Sequence, residues 1–188
     1  MRWTFVNSQE EEIDLVEFEN QQATREFVEN IGLLRLGPFY VGNEIWNRLL
    51  LNIRSQALEP ASKHVVILLL GRIKGPRIVI DDFIQLLGSG KNYCDYDIHD
   101  IKKVEKEAYK NSLILTGILH ACSRTAGTPS SWDQAMWLSV MFELNRPVTY
   151  FIMNPETLNL RFYSISASTY AILKEAVKPI EARMKENV

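Results

Sequence analysis

The chain reads as an α+β protein with a mixed, largely antiparallel sheet flanked by helices, and three observations predict it. Apolar, β-branched runs recur at 64–71 (HVVILLLG), 77–87 (RIVIDDFIQLL), 112–120 (SLILTGILH), 147–154 (PVTYFIMN) and 158–166 (LNLRFYSIS). Each is bounded by turn-forming or polar residues, as strands are. Stretches of helical periodicity lie between some of them, while other strands follow one another directly, which favours hairpin pairing over strict β–α alternation. With 188 residues, 46% of them hydrophobic, the chain is long enough to bury one substantial core.

Taken in order, RWTFV (2–6) and IDLVEF (13–18) alternate like two short strands around the acidic turn SQEEE. ATREFVENI (23–31) predicts a short helix closed by Gly32. Residues 1–36 are too few to close a core of their own and are expected to be an appendage on a domain spanning 37–188. FYV (39–41) is a short strand. Asn43 is a candidate N-cap for a helix whose Ile45, Leu49, Leu50 and Ile53 share one face. The run at 64–71 is apolar enough to be covered on both faces. Gly75-Pro76 turns it into its partner strand, and 88–96 is a polar loop.

Residues 97–111 predict a charged helix with few apolar anchors. After the strand at 112–120 and a loop at 121–129, Pro129 is expected at the first helical position. Ala135, Leu138, Met141 and Phe142 should form the buried stripe of that helix. The last two strands flank an Asn154-Pro155-Glu156-Thr157 turn, and a helix is expected over 168–185.

The formal charge of -2 gives no general attraction to nucleic acid, and Arg72, Lys74 and Arg77 read as a solvated edge. Neither VVILLL nor SLILTGIL is long enough to cross a bilayer. The first residues show no signal-peptide pattern. Two cysteines, Cys94 and Cys122, in unlike settings read as thiols, so a cytoplasmic protein is expected.

The chemistry is concentrated in GILHACSRTAGTPSSWD (117–133), where His120, Cys122, Ser130 and Asp133 have the spacing H-x-C-x(7)-S-x-x-D. Imidazole, thiolate and carboxylate are all ordinary zinc donors. This spacing resembles the JAB/MPN (JAMM) zinc isopeptidase family, whose motif is H-x-H-x(7)-S-x-x-D. Gly117-Ile118-Leu119 resembles the lead into the family's first histidine, and Thr128-Pro129-Ser130 the residues before its aspartate. Residues 147–162 resemble the strand–turn–strand that follows, and 43–71 the family's first helix and the strand ending Leu-Leu-x-Gly. The resemblance covers about 37–185 and implies an MPN/JAB-like fold with a cytidine-deaminase-like core.

It also implies zinc held by His120, Cys122 and Asp133, with Ser130 orienting the reacting oxygen. Cys122 stands where the family has its second histidine, and Ser123 where it has a proline. His64 takes the place of the catalytic glutamate seven residues before Gly71, with Ile67 replacing a glycine between them. Glu59 is no substitute, because reaching the site would shift the strand register by several residues. His64 has two readings, as a general base or as a fourth ligand that closes the zinc shell.

Read without the resemblance, Cys122 is a small buried hydrophobe, His120 a hydrogen-bonded strand-end histidine, and Ser130 a helix cap. Two functions follow. One is a non-catalytic or residually active interaction module, with or without a retained zinc ion, that pairs with a second MPN domain, a second copy of itself or a ubiquitin-like modifier. The other is an active zinc isopeptidase or peptidase, acting on the tail of a ubiquitin-like protein with a changed ligand set. Loss of the glutamate favours the first, since a missing proton-transfer group forfeits about 10²–10⁴ in rate. Neither nucleic acid nor membrane is an expected partner.

Overall fold

The computed structural model describes residues 2–6, 12–17, 19–22, 25–57, 64–75, 77–86, 98–122 and 129–175. The expected turn at 7–11, the loop at 88–96 with Cys94, and the last helix beyond 175 lie outside those residues.

Strands β1 (Arg2–Val6) and β2 (Glu12–Glu17) form an antiparallel pair, as their alternation predicts. Next come β3 (Glu19–Gln22), β4 (Arg25–Val28), a single 3-10 turn at Glu29–Ile31, β5 (Leu33–Leu36) and β6 (Phe39–Val41). The helix expected at 23–31 is therefore replaced by a strand and a 3-10 turn. Gly32, at φ +65, reverses the chain so that β4 pairs antiparallel with β5, and this pairing outcompetes a weak local helical pattern.

Helix α1 (Asn43–Ala57) follows, then the long strands β7 (His64–Lys74) and β8 (Arg77–Leu86) joined through Gly75. Helix α2 (Ile98–Lys110) leads to β9 (Ile114–Cys122), which runs two residues beyond His120. Helix α3 (Ser131–Leu144), β10 (Thr149–Met153) and β11 (Leu160–Ser164) come next, and residues 167–175 form helix α4.

Among the described residues nine strands join one sheet in the order β3-β11-β10-β9-β7-β8-β6-β5-β4. Two contacts are parallel, β9 with β10 and β6 with β8, and the rest are antiparallel. The fold is thus α+β, with a mixed and mostly antiparallel sheet. No helix among the described residues is long and apolar enough to cross a membrane.

Alternation in the central strands divides the core into two layers. On one face Val65, Ile67, Leu69, Leu119 and Phe151 pack with Trp46, Leu49 and Ile53 of α1. On the other, Val66, Leu68, Ile118, Tyr150 and Ile152 pack with Ile101 of α2, Trp137, Val140 and Met141 of α3, and Leu173 of α4. Within α3 the buried side runs through Met136, Trp137, Val140 and Met141, and Ala135, expected in the stripe, is exposed. That helix is apolar around most of its circumference, so sequence periodicity alone does not choose its inner face.

A bulge in β9 sets which face the candidate residues take. Leu69 pairs with Gly117 and Leu70 with Leu115, leaving Thr116 as the extra residue. The Thr116 hydroxyl donates to the Leu69 carbonyl at 3.0 Å, so the bulge buries a satisfied polar group. Beyond it, positions 118, 120 and 122 alternate onto the α2–α3 side.

Candidate functional site

The site forms where β9, β10 and the first turn of α3 meet. Helix α3 begins with a capping box. The Ser130 Oγ accepts the Asp133 backbone N–H at 3.2 Å, and Asp133 Oδ2 accepts the Ser130 backbone N–H at 2.7 Å. Ser130 is thus the N-cap and Ser131 the first helical residue, so Pro129 precedes the cap instead of opening the helix as its sequence position suggests. The capping box selects the register, because Asp133 at the third helical position closes it.

Asp133 is 1% exposed, and it faces His120 on the α2–α3 side of the sheet. His120 Nδ1 lies 2.6 Å from Asp133 Oδ1, the Tyr150 hydroxyl donates to the same oxygen at 2.7 Å, and the Ser130 Oγ donates to Oδ2 at 2.6 Å. Burial opposes ionisation of this carboxyl. The hydrogen bond and charge interaction with His120, with the hydroxyls of Ser130 and Tyr150, outweigh burial and hold it well below the usual carboxylate range. The N-terminus of α3 favours the same charge. An ionised carboxylate only accepts, so the shared proton of the pair belongs to Nδ1 of His120.

The residues singled out from sequence are distributed as follows. His120, Ser130 and Asp133 meet in one network that is buried at His120 and Asp133 and reaches the surface at Ser130. Cys122 is a buried thiol two positions along β9 from His120. The backbone of His64 pairs directly with that of Cys122 at the start of β7, and the His64 side chain lies outside what is described. The backbone of His99 belongs to α2. Among the described residues no three His, Cys, Asp or Glu side chains come together as a metal-binding group.

Tyr150 is the member that motif spacing does not reveal. Its backbone pairs with Ile118, it is fully buried, and its ring stacks on Trp137 at 5.7 Å between centroids with 28° between planes. The available signal is a phenol in the middle of an apolar strand, which needs a hydrogen-bond partner once buried.

Among the described residues, the His120–Asp133 contact is not the spacing of two ligands on one zinc ion. Donor atoms of two ligands on a tetrahedral zinc stand roughly 3.3 Å apart, given bonds of about 2.0–2.1 Å. The 2.6 Å contact between His120 and Asp133 is instead that of a charge-assisted hydrogen bond. The carboxylate also takes one donor from Tyr150 and two from Ser130, which with His120 engages both oxygens twice.

No protein-family profile matches the chain, and no curated protein matches it. Among solved structures it is similar to the solution structure of a protein from Desulfitobacterium hafniense, with 19% identity and a TM-score of 0.45 over 61% of this chain and 73% of that one. It is also similar to the solution structure of a protein from Salinibacter ruber, with 11% identity and a TM-score of 0.43 over 69% of this chain and 83% of that one.

Proposed function

We propose that this chain is a diverged JAB/MPN-type domain that acts as a non-catalytic protein-interaction module in the cytoplasm. Its partner is a second MPN domain, a second copy of itself or a ubiquitin-like modifier. The observation that carries the non-catalytic reading is the saturation of Asp133. A carboxylate buried to 1% exposure and already accepting from His120, Tyr150 and Ser130 has no lone pair directed at a metal or at a proton to be moved.

Two further points support the reading. The arrangement of His120 on a central strand, with Ser130 and Asp133 on the first turn of the next helix, is what the motif resemblance implies for this domain type. The position of the family's glutamate is held by His64, at the strand position paired with Cys122. Without the glutamate the hydrolytic step lacks the base that the family uses, and an Asp133 engaged by four hydrogen bonds is not free to hold the metal that would supply its nucleophile. What the network retains is structural, tying the start of α3 to β9 and β10.

The test is metal analysis of protein purified without added zinc, together with a cleavage assay on ubiquitin-like fusions. We expect no stoichiometric zinc and no cleavage. Cleavage by the unmodified chain that a chelator abolishes would overturn the reading in favour of the zinc peptidase. The same assay on the His64→Glu/Cys122→His double variant asks whether restoring the motif residues suffices to restore hydrolysis.

A further inference from the structure

We infer that two copies of this chain pair by exchange, the acidic β1–β2 hairpin of each lying on a basic sheet face of the other. This rests on the protein-interaction reading above and selects the second copy from the partners named there. Strand register assembles the basic face. Arg35 of β5 pairs with Tyr40 of β6, Tyr40 with Val79 of β8, and Val79 with Arg72 of β7. Two rungs on, Lys74 pairs with Arg77, and strand alternation puts this pair on the same face. Arg35, Arg72, Lys74 and Arg77 are all exposed, and the Arg77 guanidinium lies over the Tyr40 ring, 5.6 Å from its centroid.

Two acidic residues meet this row. Asp81 accepts both hydrogen bonds of a bidentate pair from Arg72, and Glu26 is the backbone partner of Arg35. Four cations set against these two carboxylates leave the face positive. Lys74 and Arg77 also stand directly opposite each other, a pairing of like charges that favours a further anion beside it. Among the described residues, the apolar layer under α2, α3 and α4 takes Val66, Leu68 and Leu70 of β7 and Leu86 of β8, and nothing from β5 or β6. The basic face is therefore open.

The hairpin has the complementary need. Strands β1 and β2 pair with each other and form a sheet separate from the nine-stranded one. A lone hairpin is marginal in water and gains stability by packing on another surface. From Asn7 to Glu19 the chain carries Glu10, Glu11, Glu12, Asp14, Glu17 and Glu19 with no lysine or arginine. Register places Glu12, Asp14 and Glu17 on alternate rungs of the hairpin. Each copy offers one such hairpin and one basic face, so a two-fold exchange satisfies both and closes as a dimer.

The experiment measures mass by sedimentation equilibrium, over a range of protein and salt concentrations. It compares the full chain, a face variant Lys74→Glu/Arg77→Glu and a hairpin variant Glu12→Lys/Asp14→Lys/Glu17→Lys. The unmodified chain is expected to dimerise, less tightly as salt rises. Each variant should weaken its own dimer by roughly ten- to a hundredfold. Mixing the two should restore a complex of one copy of each, since the reversed charges then match.

A chain that stays monomeric at every concentration would overturn the dimer while leaving the non-catalytic reading intact. A monomer that both variants destabilise would overturn the exchange by placing the hairpin on its own chain. A dimer that neither variant weakens, or variants that mixing does not rescue, would overturn the choice of surfaces. If circular dichroism shows a reversal variant unfolded, Lys74→Ser/Arg77→Ser or Glu12→Gln/Asp14→Asn/Glu17→Gln takes its place, and an unweakened dimer then overturns the proposal. Chelator-sensitive cleavage would strike the non-catalytic reading and leave the measured dimer standing.

Discussion

Replacing Asp133 with asparagine removes one charge from the centre of a network that joins three elements. The carboxylate accepts from His120 on β9, Tyr150 on β10 and Ser130 at the N-cap of α3, at distances of 2.6 to 2.7 Å. An asparagine keeps one acceptor oxygen and turns the other into a donor, which then opposes another donor. Taking a buried, ionised acceptor away from its donors costs about 1–3 kcal/mol for each group left unsatisfied, and with the disrupted cap the total comes to about 3–5 kcal/mol. Urea unfolding at pH 7 should therefore show Asp133→Asn less stable by about 3–5 kcal/mol with an unchanged m-value.

The pH dependence gives a second, independent reading. The folded carboxyl is held below its unfolded value, so its contribution is complete above the unfolded value and is lost as pH falls. The unfolded chain takes up the proton first, near pH 4, and each further pH unit should remove about 1.4 kcal/mol of the difference between wild type and Asp133→Asn. A cost below about 1 kcal/mol at pH 7, or a difference that stays constant from pH 5 to pH 2.5, would refute the reasoning, because neither agrees with a buried, ionised hub.

Other perturbations probe the frame that holds the hub. A Cβ at Gly71 would fall 2.1 Å from the Val79 carbonyl oxygen, so Gly71→Ala must shift backbone where β7 changes register against β8. A loss of about 2–3 kcal/mol or more by thermal unfolding is expected. Thr116→Val removes the buried donor to the Leu69 carbonyl in the β9 bulge and should cost about 1–3 kcal/mol in chemical denaturation. Arg72 and Asp81 form a bidentate pair at the solvent-exposed edge of the sheet, so Arg72→Ala should leave the thermal midpoint nearly unchanged, and any difference should shrink in high salt.

Much of the sheet was legible because its central strands are written in β-branched and long apolar residues that have few other uses. β7, β8, β10 and β11 appear where HVVILLLG, RIVIDDFIQLL, PVTYFIMN and LNLRFYSIS predict them. The Asn154 turn forms as its residues suggest, with Asn154 Oδ1 accepting the backbone N–H groups of Glu156 and Thr157 at 2.9 and 3.0 Å. Misreadings arise where a partner strand decides the local structure. Residues 25–28 become a strand because Leu33–Leu36 lies beside them, and β9 extends to Cys122 because the backbone of His64 pairs with it. In both cases the partner lies outside the segment whose own pattern was read.

The site shows the same limit in a sharper form. Ser130 and Asp133 have the spacing S-x-x-D, which serves a zinc motif and a capping box equally well. In this structure the capping box is formed, so that half of the motif carries no information about metal. His120 then distinguishes little by itself, since a buried imidazole meets a buried carboxylate in structural pairs as readily as in catalytic ones. The same carboxylate also accepts from Tyr150, seventeen positions beyond Asp133, brought to it by the parallel pairing of β10 with β9. The phenol adds a third element to the network, so that the carboxylate ties the start of α3 to both β9 and β10. The functional content of H-x-C-x(7)-S-x-x-D in this chain therefore depends on a side chain outside the motif.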